Sequence, residues 1–415
     1  MYYIIKYARL TEEKLIETIM DKIEEILARG VEKVYPSREA LEKILKSDKK
    51  LKLYQGFDPT GSQLHVGHLT GLMKLKQFQQ SGHKVIFLIG DVTATIGDPS
   101  GKTEGRRVLS RDEVNKYAEK YKEQASRVLD FDGANPVEIK FNSEWWDKMN
   151  ALEFGKISHY LTYAQVVERD LFQERKKSGQ DVFMNEFFYP LLQAYDSVVM
   201  DVDLELGGND QMFNMMMGRK LMRNMKSKEK FVMTLPLLTD SSGKKIGKTE
   251  GNVIALDAEP SEFYGMIMSF SDDIIVKGFE QLTDVPMSEV DEIKSKIKVG
   301  ENPMIFKKKL AYELTRMLND EERAEKAAMD FDKRFSKGEL PENLEVRSVE
   351  PGQLLVEIMV SLELAPSKSE ARRLIEQGAV KINGEGIDDV NYIYDLSGEN
   401  ILQVGKLRVV KIMSS

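Results

Sequence analysis

The chain has 415 residues, of which 41% are hydrophobic and 31% are charged, and its formal net charge at pH 7 is -8. This length exceeds the usual size of a single hydrophobic core and predicts two or three domains. The absence of cysteine excludes disulfides and thiolate metal sites, and four histidines leave little for a structural zinc site. No segment has the length of a membrane span or a secretory leader, so we expect a cytoplasmic protein. The negative charge excludes polyanion binding by the whole surface, so a nucleic acid would have to meet local basic patches.

The first part of the chain predicts surface helices that lead into a buried sheet. Apolar residues at helical spacing, such as Leu15, Ile19 and Ile23, indicate helices within residues 11–50. A helix is also expected from Val66 to about Ser81. Four apolar runs are predicted strands: residues 51–57, 84–90, 137–141 and 231–238. Strands that alternate with helices predict an α/β fold with a doubly wound parallel sheet, in which ligands bind beyond the carboxyl ends of the strands.

The rest of the chain predicts three further parts. A catalytic domain with N-terminal helices is expected over residues 1–250, followed by a charged helical domain over 251–335. A polar stretch with prolines at 336–350 is typical of a linker. Residues 351–415 then predict a last small domain.

Two histidines stand where the first strand meets the first long helix, in the segment DPTGSQLHVGH. The backbone donors and the dipole at a helix N-terminus favour an anion there. His65 and His68 are three residues apart, so they share a helical face and can both donate to phosphate oxygens. On spacing alone, they are as well explained as turn and capping residues.

Two glycine-rich loops carry cations. The segment DSSGKKIGKTEGN places Lys245 and Lys248 after the strand at 231–238, and IGDPSGKTEGR carries Lys102 and Arg106. Taken separately, each loop is typical of a solvated surface turn.

One predicted helix presents a polar face. Tyr189, Gln193 and Asp196 lie at positions i, i+4 and i+7 of FFYPLLQAYDSV, so they share one side of the helix. Periodicity alone favours a buried polar face over a pocket wall.

These segments together resemble the tyrosyl branch of the class I aminoacyl-tRNA synthetases over nearly the whole chain, from about residue 30 to 415. YQGFDPTGSQLHVGH resembles the HIGH motif and KIGKT resembles the KMSKS loop, with Ile246 and Gly247 in place of Met and Ser. The resemblance implies a Rossmann-like catalytic domain that joins tyrosine to tRNA through an adenylate. It also implies catalytic roles on the phosphates of ATP for His65, His68, Lys245, Lys248 and Thr60.

The same resemblance implies the substrate contacts. The ammonium group of tyrosine would be bound by Tyr189, Gln193 and Asp98, and its phenol hydroxyl by Tyr54 and Asp196. Gln211 would also contact the bound tyrosine. In LELGGNDQMFN, Asp210 would bind the ribose. The full set of implied ATP contacts is Gly56, Asp58, Gly67, Gly207, Gly208, Asp210, Lys102, Arg106 and Thr249. Met212 and Phe213 stand where the better-known bacterial form has Trp-Gly, which indicates the second bacterial subgroup.

The last segment, with SKSEARRLIEQGAVKING, resembles a small RNA-binding domain shared with a ribosomal small-subunit protein, here called the S-four type. Ser367 is expected to cap a helix that buries Ala371, Leu374 and Ile375. The resemblance implies tRNA contact by an outward basic cluster: Lys368, Arg372, Arg373 and Lys381. Because residues 351–415 are slightly acidic, composition alone favours an ordinary surface domain.

The resemblance implies three partners, namely tyrosine, ATP with Mg²⁺ and tRNA, and no protein-bound metal or organic cofactor. It also implies a homodimer, for which residues 144–178 are the expected contact, and an anticodon-side role for the helical region. A tryptophanyl-tRNA synthetase is the nearest alternative, and it should lack the pair Tyr54 and Asp196 and the last domain. A non-catalytic RNA-binding descendant is the other alternative, and it would have no need of the histidines and lysines.

Overall fold

A computed structural model describes residues 20–100, 109–167, 170–241, 243, 245–246, 248–249, 252–336, 346–395, 398–405 and 408–414. The chain divides into two compact units, Met1–Ala324 and Glu325–Ser415. The predicted domain boundaries at residues 250, 335 and 350 remain predictions. No helix in the part of the chain described by the structure is long and apolar enough to cross a bilayer.

A six-stranded sheet forms the centre of the first unit. Its strands are β1 (Lys33–Tyr35), β2 (Lys52–Phe57), β3 (Lys84–Ile89), β4 (Glu138–Phe141), β5 (Leu204–Gly208) and β6 (Phe231–Leu235). Their order is β1-β6-β5-β2-β3-β4, and every neighbouring pair is parallel except β1 and β6. The predicted doubly wound α/β class is confirmed. Because β3 follows on one side of β2 and β5 lies on the other, the topological switch point is between β2 and β5.

Two details of the sheet differ from the prediction. The strand predicted over 231–238 ends at Leu235, because Pro236 has no N–H to continue the ladder. Strands β1 and β5 were not predicted. β1 has only three residues, and β5 ends in two glycines, which have low strand propensity.

Eleven helical segments surround the sheet within the described residues up to β6. They are α1 (20–28), α2 (Arg38–Leu45), α3 (Val66–Gln80), α4 (Thr93–Ile96), α5 (Arg111–Ala125), α6 (Ser143–Trp146), α7 (Ala151–Ser158), α8 (Tyr163–Val167), α9 (Asp170–Lys177), α10 (Met184–Met200) and α11 (Met212–Lys226). The helix predicted from Val66 is confirmed. Of the predicted N-terminal apolar positions, Ile23 is buried in α1, whereas Leu15 and Ile19 lie outside the described residues.

The helical region of the first unit follows two short strands, β7 (Lys248–Thr249) and β8 (Asn252–Val253). Its helices are α12 (Pro260–Met268), α13 (Ile275–Leu282), α14 (Met287–Lys298) and α15 (Pro303–Leu318). The next helix, α16 (Glu321–Ser336), begins in the first unit and continues past Ala324 into the second. The buried Arg29 guanidinium donates to the carbonyls of Phe279 and Thr283, at 3.0 and 2.6 Å. Lys74 of α3 donates to the carbonyl of Arg29 at 2.6 Å. This network holds α13 against α3, the helix that begins at the histidine motif.

The second unit has its own core. Its five-stranded sheet has the order β12-β11-β14-β15-β9, in which only β15 and β9 are parallel. The elements are β9 (Val346–Val349), β10 (Gln353–Leu354), α17 (Leu355–Ser361), α18 (Lys368–Glu376), β11 (Val380–Ile382), β12 (Glu385–Ile387), β13 (Ile393–Tyr394), β14 (Gly398–Val404) and β15 (Arg408–Ser414). The predicted cap is confirmed, because the Ser367 hydroxyl accepts from the Glu370 N–H at 3.2 Å. Ala371 and Ile375 are fully buried.

Candidate active site

Two adjoining cavities lie at the carboxyl ends of β2 and β5, where the sheet topology predicts ligand binding. The larger has a volume of about 960 Å³ and the smaller about 220 Å³. Both are lined by Thr60, His68 and Gly208. The larger cavity therefore has room for a nucleotide-sized ligand next to a site for a small one.

The predicted histidines lie at the first turn of α3, beside the larger cavity. The Gly67 N–H donates to His65 Nδ1 at 3.1 Å, and the His65 N–H donates to His68 Nδ1 at 3.1 Å. Because an accepting nitrogen carries no proton, each neutral ring carries its proton on Nε2. The histidines are thus capping residues, and each ring also has an Nε2–H donor next to the positive end of the α3 dipole.

Glycine at position 67 of this motif leaves room for the His65 ring. A Cβ atom there would lie 2.9 Å from His65 Cε1, so the ring would have to shift, and 3.6 Å from the carbonyl oxygen of Ile246, which is an ordinary contact.

Backbone pairing connects the KIGKT loop to its surroundings. The Ile246 N–H donates to the Leu238 carbonyl at 2.7 Å, and the Val66 N–H donates to the Ile254 carbonyl at 3.0 Å. Lys245 Nζ lies 3.0 Å from Asp210 Oδ2, and its side chain is 50% exposed. The side chains of two further predicted residues of this loop, Lys248 and Thr249, lie outside the described residues, as do Lys102 and Arg106 entirely.

The deep end of the smaller cavity contains the predicted phenol-binding pair. Asp196 is 1% exposed, and its carboxylate accepts from the indole N–H groups of Trp145 and Trp146 at 2.8 and 2.9 Å and from Asn142 Nδ2 at 3.3 Å. Burial raises the pKa of Asp196 from 3.8 to about 8, and these three donors oppose the rise. Burial, followed by the charges of Glu205 and Asp196, raises the pKa of Tyr54 well above 10.0, so its hydroxyl stays protonated.

The smaller cavity has further acceptors besides Asp196. Asp58 accepts from the Tyr189 hydroxyl at 2.8 Å and from Thr93 Oγ1 at 2.7 Å. Gln211 Nε2 donates to Asp98 Oδ2 at 2.6 Å. Two carboxylates near one cavity favour a cationic ligand group there.

The predicted face of α10 lines this cavity. Tyr189, Gln193 and Asp196 lie on the helix Met184–Met200 and all three border the cavity. The predicted nucleotide residues divide between the two cavities: Gly67 and Asp210 line the larger one, whereas Gly56, Asp58 and Gly207 line the smaller one.

Several polar residues around the site were not predicted. They are Asn142, Trp145, Trp146, Ser197, Glu205 and Lys230. Only Ser197 had a local signal, because it follows Asp196 on the same helix. The others come from distant segments and carry no recognisable spacing.

The predicted basic cluster of the second unit is exposed. Lys368 pairs with Glu357 at 2.7 Å, and Arg373 pairs with Glu370 at 2.5 Å. Arg372 has no ion pair within the described residues. Tyr394 is fully buried and belongs to the core, so it offers no stacking surface to a base.

Comparison with known proteins identifies the family. The family described as "tRNA synthetases class I (W and Y)" matches residues 46–336, and an S4 domain matches residues 353–401. The tyrosine–tRNA ligase of Thermotoga maritima is 41% identical over 93% of this chain and 96% of its own length. That of Haemophilus influenzae is 41% identical over 93% and 95%.

Two solved structures show a similar fold. A C-terminally truncated mitochondrial tyrosyl-tRNA synthetase of Aspergillus nidulans has a TM-score of 0.65 and 23% identity, covering 76% of this chain and 94% of that one. The tyrosyl-tRNA synthetase of Archaeoglobus fulgidus, solved with L-tyrosine, has a TM-score of 0.60 and 21% identity, covering 75% and 98%. The family description includes both the tryptophanyl and tyrosyl branches, and the sequence relatives separate them. The chain belongs to the tyrosyl-tRNA synthetases of class I.

Proposed function

We propose that the smaller cavity of this tyrosine–tRNA ligase binds tyrosine and that the larger one binds its second substrate, ATP. Family membership makes the chain an enzyme that activates tyrosine and joins it to tRNA. The assignment of one substrate to each cavity rests on the difference in volume and lining between the two cavities. The smaller one, of about 220 Å³, is lined by the buried Tyr54 and Asp196 and by two further carboxylates, Asp58 and Asp98.

The deep end would recognise the phenol hydroxyl of tyrosine. Tyr54, which keeps its proton, donates to the phenol oxygen, and Asp196 accepts the phenol proton. The phenol adds a further donor to the three N–H groups around Asp196, which favours its ionised form. Phenylalanine would make neither of these two hydrogen bonds, and a buried group left without one of its partners costs about 1–3 kcal/mol.

The acceptor end would bind the tyrosine ammonium group. Asp98, Tyr189 and Gln193 are the contacts we propose, and Gln211 holds the Asp98 carboxylate in place through its 2.6 Å hydrogen bond. Asp58 orients the Tyr189 hydroxyl. The substrate carboxylate then points toward Thr60 and His68, which border both cavities.

Activation would occur at the start of α3. A carboxylate oxygen of tyrosine forms a bond to the α-phosphorus, the bond from that phosphorus to the bridging oxygen breaks, and pyrophosphate leaves with the electron pair. His65 and His68 donate from Nε2 to the α-phosphate oxygens as charge develops, and Thr60 supports the outer phosphates. No protein nucleophile takes part. A ribose hydroxyl of the terminal adenosine of tRNA then forms an ester bond with the tyrosyl carbonyl carbon, the bond from that carbon to the phosphate oxygen breaks, and AMP leaves.

Cations of the two glycine-rich loops would stabilise the leaving group. We assign Lys245, Lys248, Lys102 and Arg106 to the β- and γ-phosphates, with Thr249 beside them. Gly67, Gly208 and Asp210 would contact the nucleoside, with Asp210 on the ribose. Because Lys245 pairs with Asp210 in this structure, ribose binding would release the lysine toward the phosphates, at little cost for a half-exposed ion pair.

Mg²⁺ would arrive with ATP and neutralise phosphate charge. Within the described residues there is no group of three or more histidine, aspartate or glutamate side chains that could hold a metal ion. We assign its ligands to the phosphates and to water.

The second unit would take part in binding the tRNA substrate. We assign backbone contacts to Lys368, Arg372, Arg373 and Lys381, and anticodon-side contacts to the helices between residues 251 and 335. We place the reaction in the cytoplasm, where translation supplies its tRNA.

We also propose a homodimer formed through residues 144–178. Two large apolar side chains in this stretch support it, because Leu152 is 81% exposed and Tyr163 is 72% exposed. A monomer in sedimentation at micromolar concentration would exclude this assembly.

Intrinsic fluorescence tests the tyrosine site directly. The chain contains two tryptophans, and both donate to Asp196. With excitation at the red edge of tryptophan absorption, we expect tyrosine to change the emission saturably and phenylalanine to bind far more weakly. Asp196→Ala should lose this preference. An equal response to both amino acids in the unmodified protein would overturn the assignment.

A further inference from the structure

A buried charged network lies behind the wall of the smaller cavity. Lys230, next to the start of β6, has a side-chain exposure of 0%, and Glu205 of β5 has 2%. Lys230 Nζ contacts Glu205 Oε2 and donates to Ser197 Oγ at 2.9 Å. None of these three residues lines the cavity.

The network reaches the cavity through two of the proposed tyrosine contacts. Ser197 Oγ lies 2.8 Å from the Tyr54 hydroxyl oxygen, and Gln193 Nε2 donates to Glu205 Oε1 at 3.0 Å. Tyr54 and Gln193 are therefore each hydrogen-bonded to a member of the buried network.

Lys230 determines the direction of the hydrogen bonds on the phenol side. An ammonium group has only donors, so Ser197 Oγ accepts from Lys230. Ser197 has one proton, which it can donate to Tyr54 at 2.8 Å or to Glu205 at 3.3 Å, and Glu205 Oε2 already accepts from the ammonium. When a ligand oxygen in the cavity accepts the Tyr54 proton, the Tyr54 oxygen can in turn accept the proton of Ser197.

Glu205 determines the direction of the carboxamide on the ammonium side. A carboxylate has only acceptors, so Gln193 must present Nε2 to Glu205 and not its carbonyl oxygen. The opposite side of the carboxamide is then Oε1, an acceptor suited to an ammonium group.

We infer that the buried Lys230–Glu205 pair is a positioning pair for tyrosine recognition, which makes Tyr54 a donor to the phenol oxygen and Gln193 an acceptor for the ammonium group. This inference rests on the proposed tyrosine site. The packing around the pair leaves little freedom for another arrangement: a Cβ atom at Gly218 would overlap Lys230 Nζ and lie 3.0 Å from Ser197 Oγ.

Ser197→Ala tests the phenol side and leaves the ion pair intact. Without the serine proton, Tyr54 has no fixed direction, so we expect the Kd for tyrosine to rise about tenfold, equivalent to about 1.4 kcal/mol. The Kd for phenylalanine should stay unchanged, and so should kcat of pyrophosphate exchange and the KM for ATP. A tyrosine-to-phenylalanine ratio equal to that of the unmodified protein would overturn the phenol half of the inference.

The double variant Glu205→Met, Lys230→Met tests the ammonium side. It replaces the pair by apolar side chains of similar length and leaves no unpaired buried charge, so we expect it to fold. Because Gln193 then has no fixed direction, the Kd values for both tyrosine and phenylalanine should rise, by about fivefold to tenfold. If both Kd values match those of the unmodified protein, this half of the inference fails.

Two comparisons keep these outcomes separate. Arg175→Met breaks the buried ion pair between Arg175 of α9 and Glu186 of α10, the helix that also carries Gln193. Neither partner lines the cavity, so this variant should lower stability with no change in either Kd. Tyr54→Phe and Gln193→Ala remove the proposed contacts themselves. If these two variants bind tyrosine normally, the proposed tyrosine site is wrong; if they bind it weakly while the network variants are normal, only the positioning role is wrong. Should the double variant not fold by circular dichroism, Ser197→Ala still decides the phenol half. Glu205→Gln then decides the ammonium half, because a carboxamide no longer requires Gln193 to present Nε2, and unchanged Kd values for both amino acids would overturn that half.

Discussion

Replacing Asp196 by asparagine should lower the preference of the enzyme for tyrosine with little change in the fold. The side chain is isosteric, and its single carbonyl oxygen would remain opposite the indole N–H groups of Trp145 and Trp146, which both donate to one carboxylate oxygen. The new NH2 group would then take the place of the oxygen that faces Asn142. The phenol proton would lose its charged acceptor.

The expected magnitude follows from that lost bond. A hydrogen bond to a charged group contributes about 1.5–3 kcal/mol, so a loss of about 2 kcal/mol corresponds to about a 30-fold fall in kcat/KM for tyrosine. Phenylalanine makes no such bond, so its kcat/KM should be unchanged or slightly higher. The assay is pyrophosphate exchange with each amino acid under identical conditions.

A matched control separates this effect from general destabilisation. Asp203 is 7% exposed, accepts from the Lys52 N–H at 2.9 Å, and does not line the cavity. Asp203→Asn should lower the free energy of unfolding and leave the ratio of the two kcat/KM values unchanged. The reasoning is refuted if Asp196→Asn keeps a tyrosine-to-phenylalanine ratio within about threefold of the unmodified enzyme, less than one such bond would give.

Four further predictions concern pH, the KIGKT loop and the second unit. Burial raises the pKa of Asp196 in the folded chain, so the contribution of this group to stability is complete below about pH 4 and is lost as the pH rises through about 8. Asp196→Asn should flatten this part of the plot of the free energy of urea unfolding against pH, and an equally steep plot would contradict the shift. Lys245→Ala should lower kcat of pyrophosphate exchange by about 10- to 100-fold with little change in the KM for tyrosine, and an unaffected kcat would remove the lysine from the mechanism. Ser367→Ala should destabilise the second unit by about 1 kcal/mol in thermal unfolding, without affecting exchange, because the Glu370 N–H loses its cap. Arg372→Ala should raise the KM for tRNA and reduce the slope of its salt dependence by about one, and a changed exchange rate would argue against a role in RNA binding alone.

The parts of the site that could be predicted are those that depend on residues close together in the sequence. His65 and His68 follow a strand and start a helix, so their place at a helix N-terminus depends only on neighbouring residues. The face formed by Tyr189 and Asp196 depends only on the periodicity of one helix. Both features were therefore accessible from the sequence.

Long-range partners explain what could not be predicted. Trp145 and Trp146 meet Asp196 across about fifty residues of chain, and no sequence pattern connects them. Lys230 was unexpected for another reason, since lysine is almost never fully buried unless it is paired. Its partner Glu205 belongs to a strand that was not predicted, because the two glycines at its end reduce the local strand signal.

Amino-acid-dependent exchange of pyrophosphate into ATP tests the central claim most directly, with tyrosine, tryptophan and phenylalanine compared on the purified protein and on Asp196→Ala. The proposed site predicts exchange with tyrosine alone, and loss of that exchange or of its selectivity in the variant. A folded protein that binds RNA and supports exchange with none of the three amino acids would contradict the catalytic assignment of His65, His68 and Lys245.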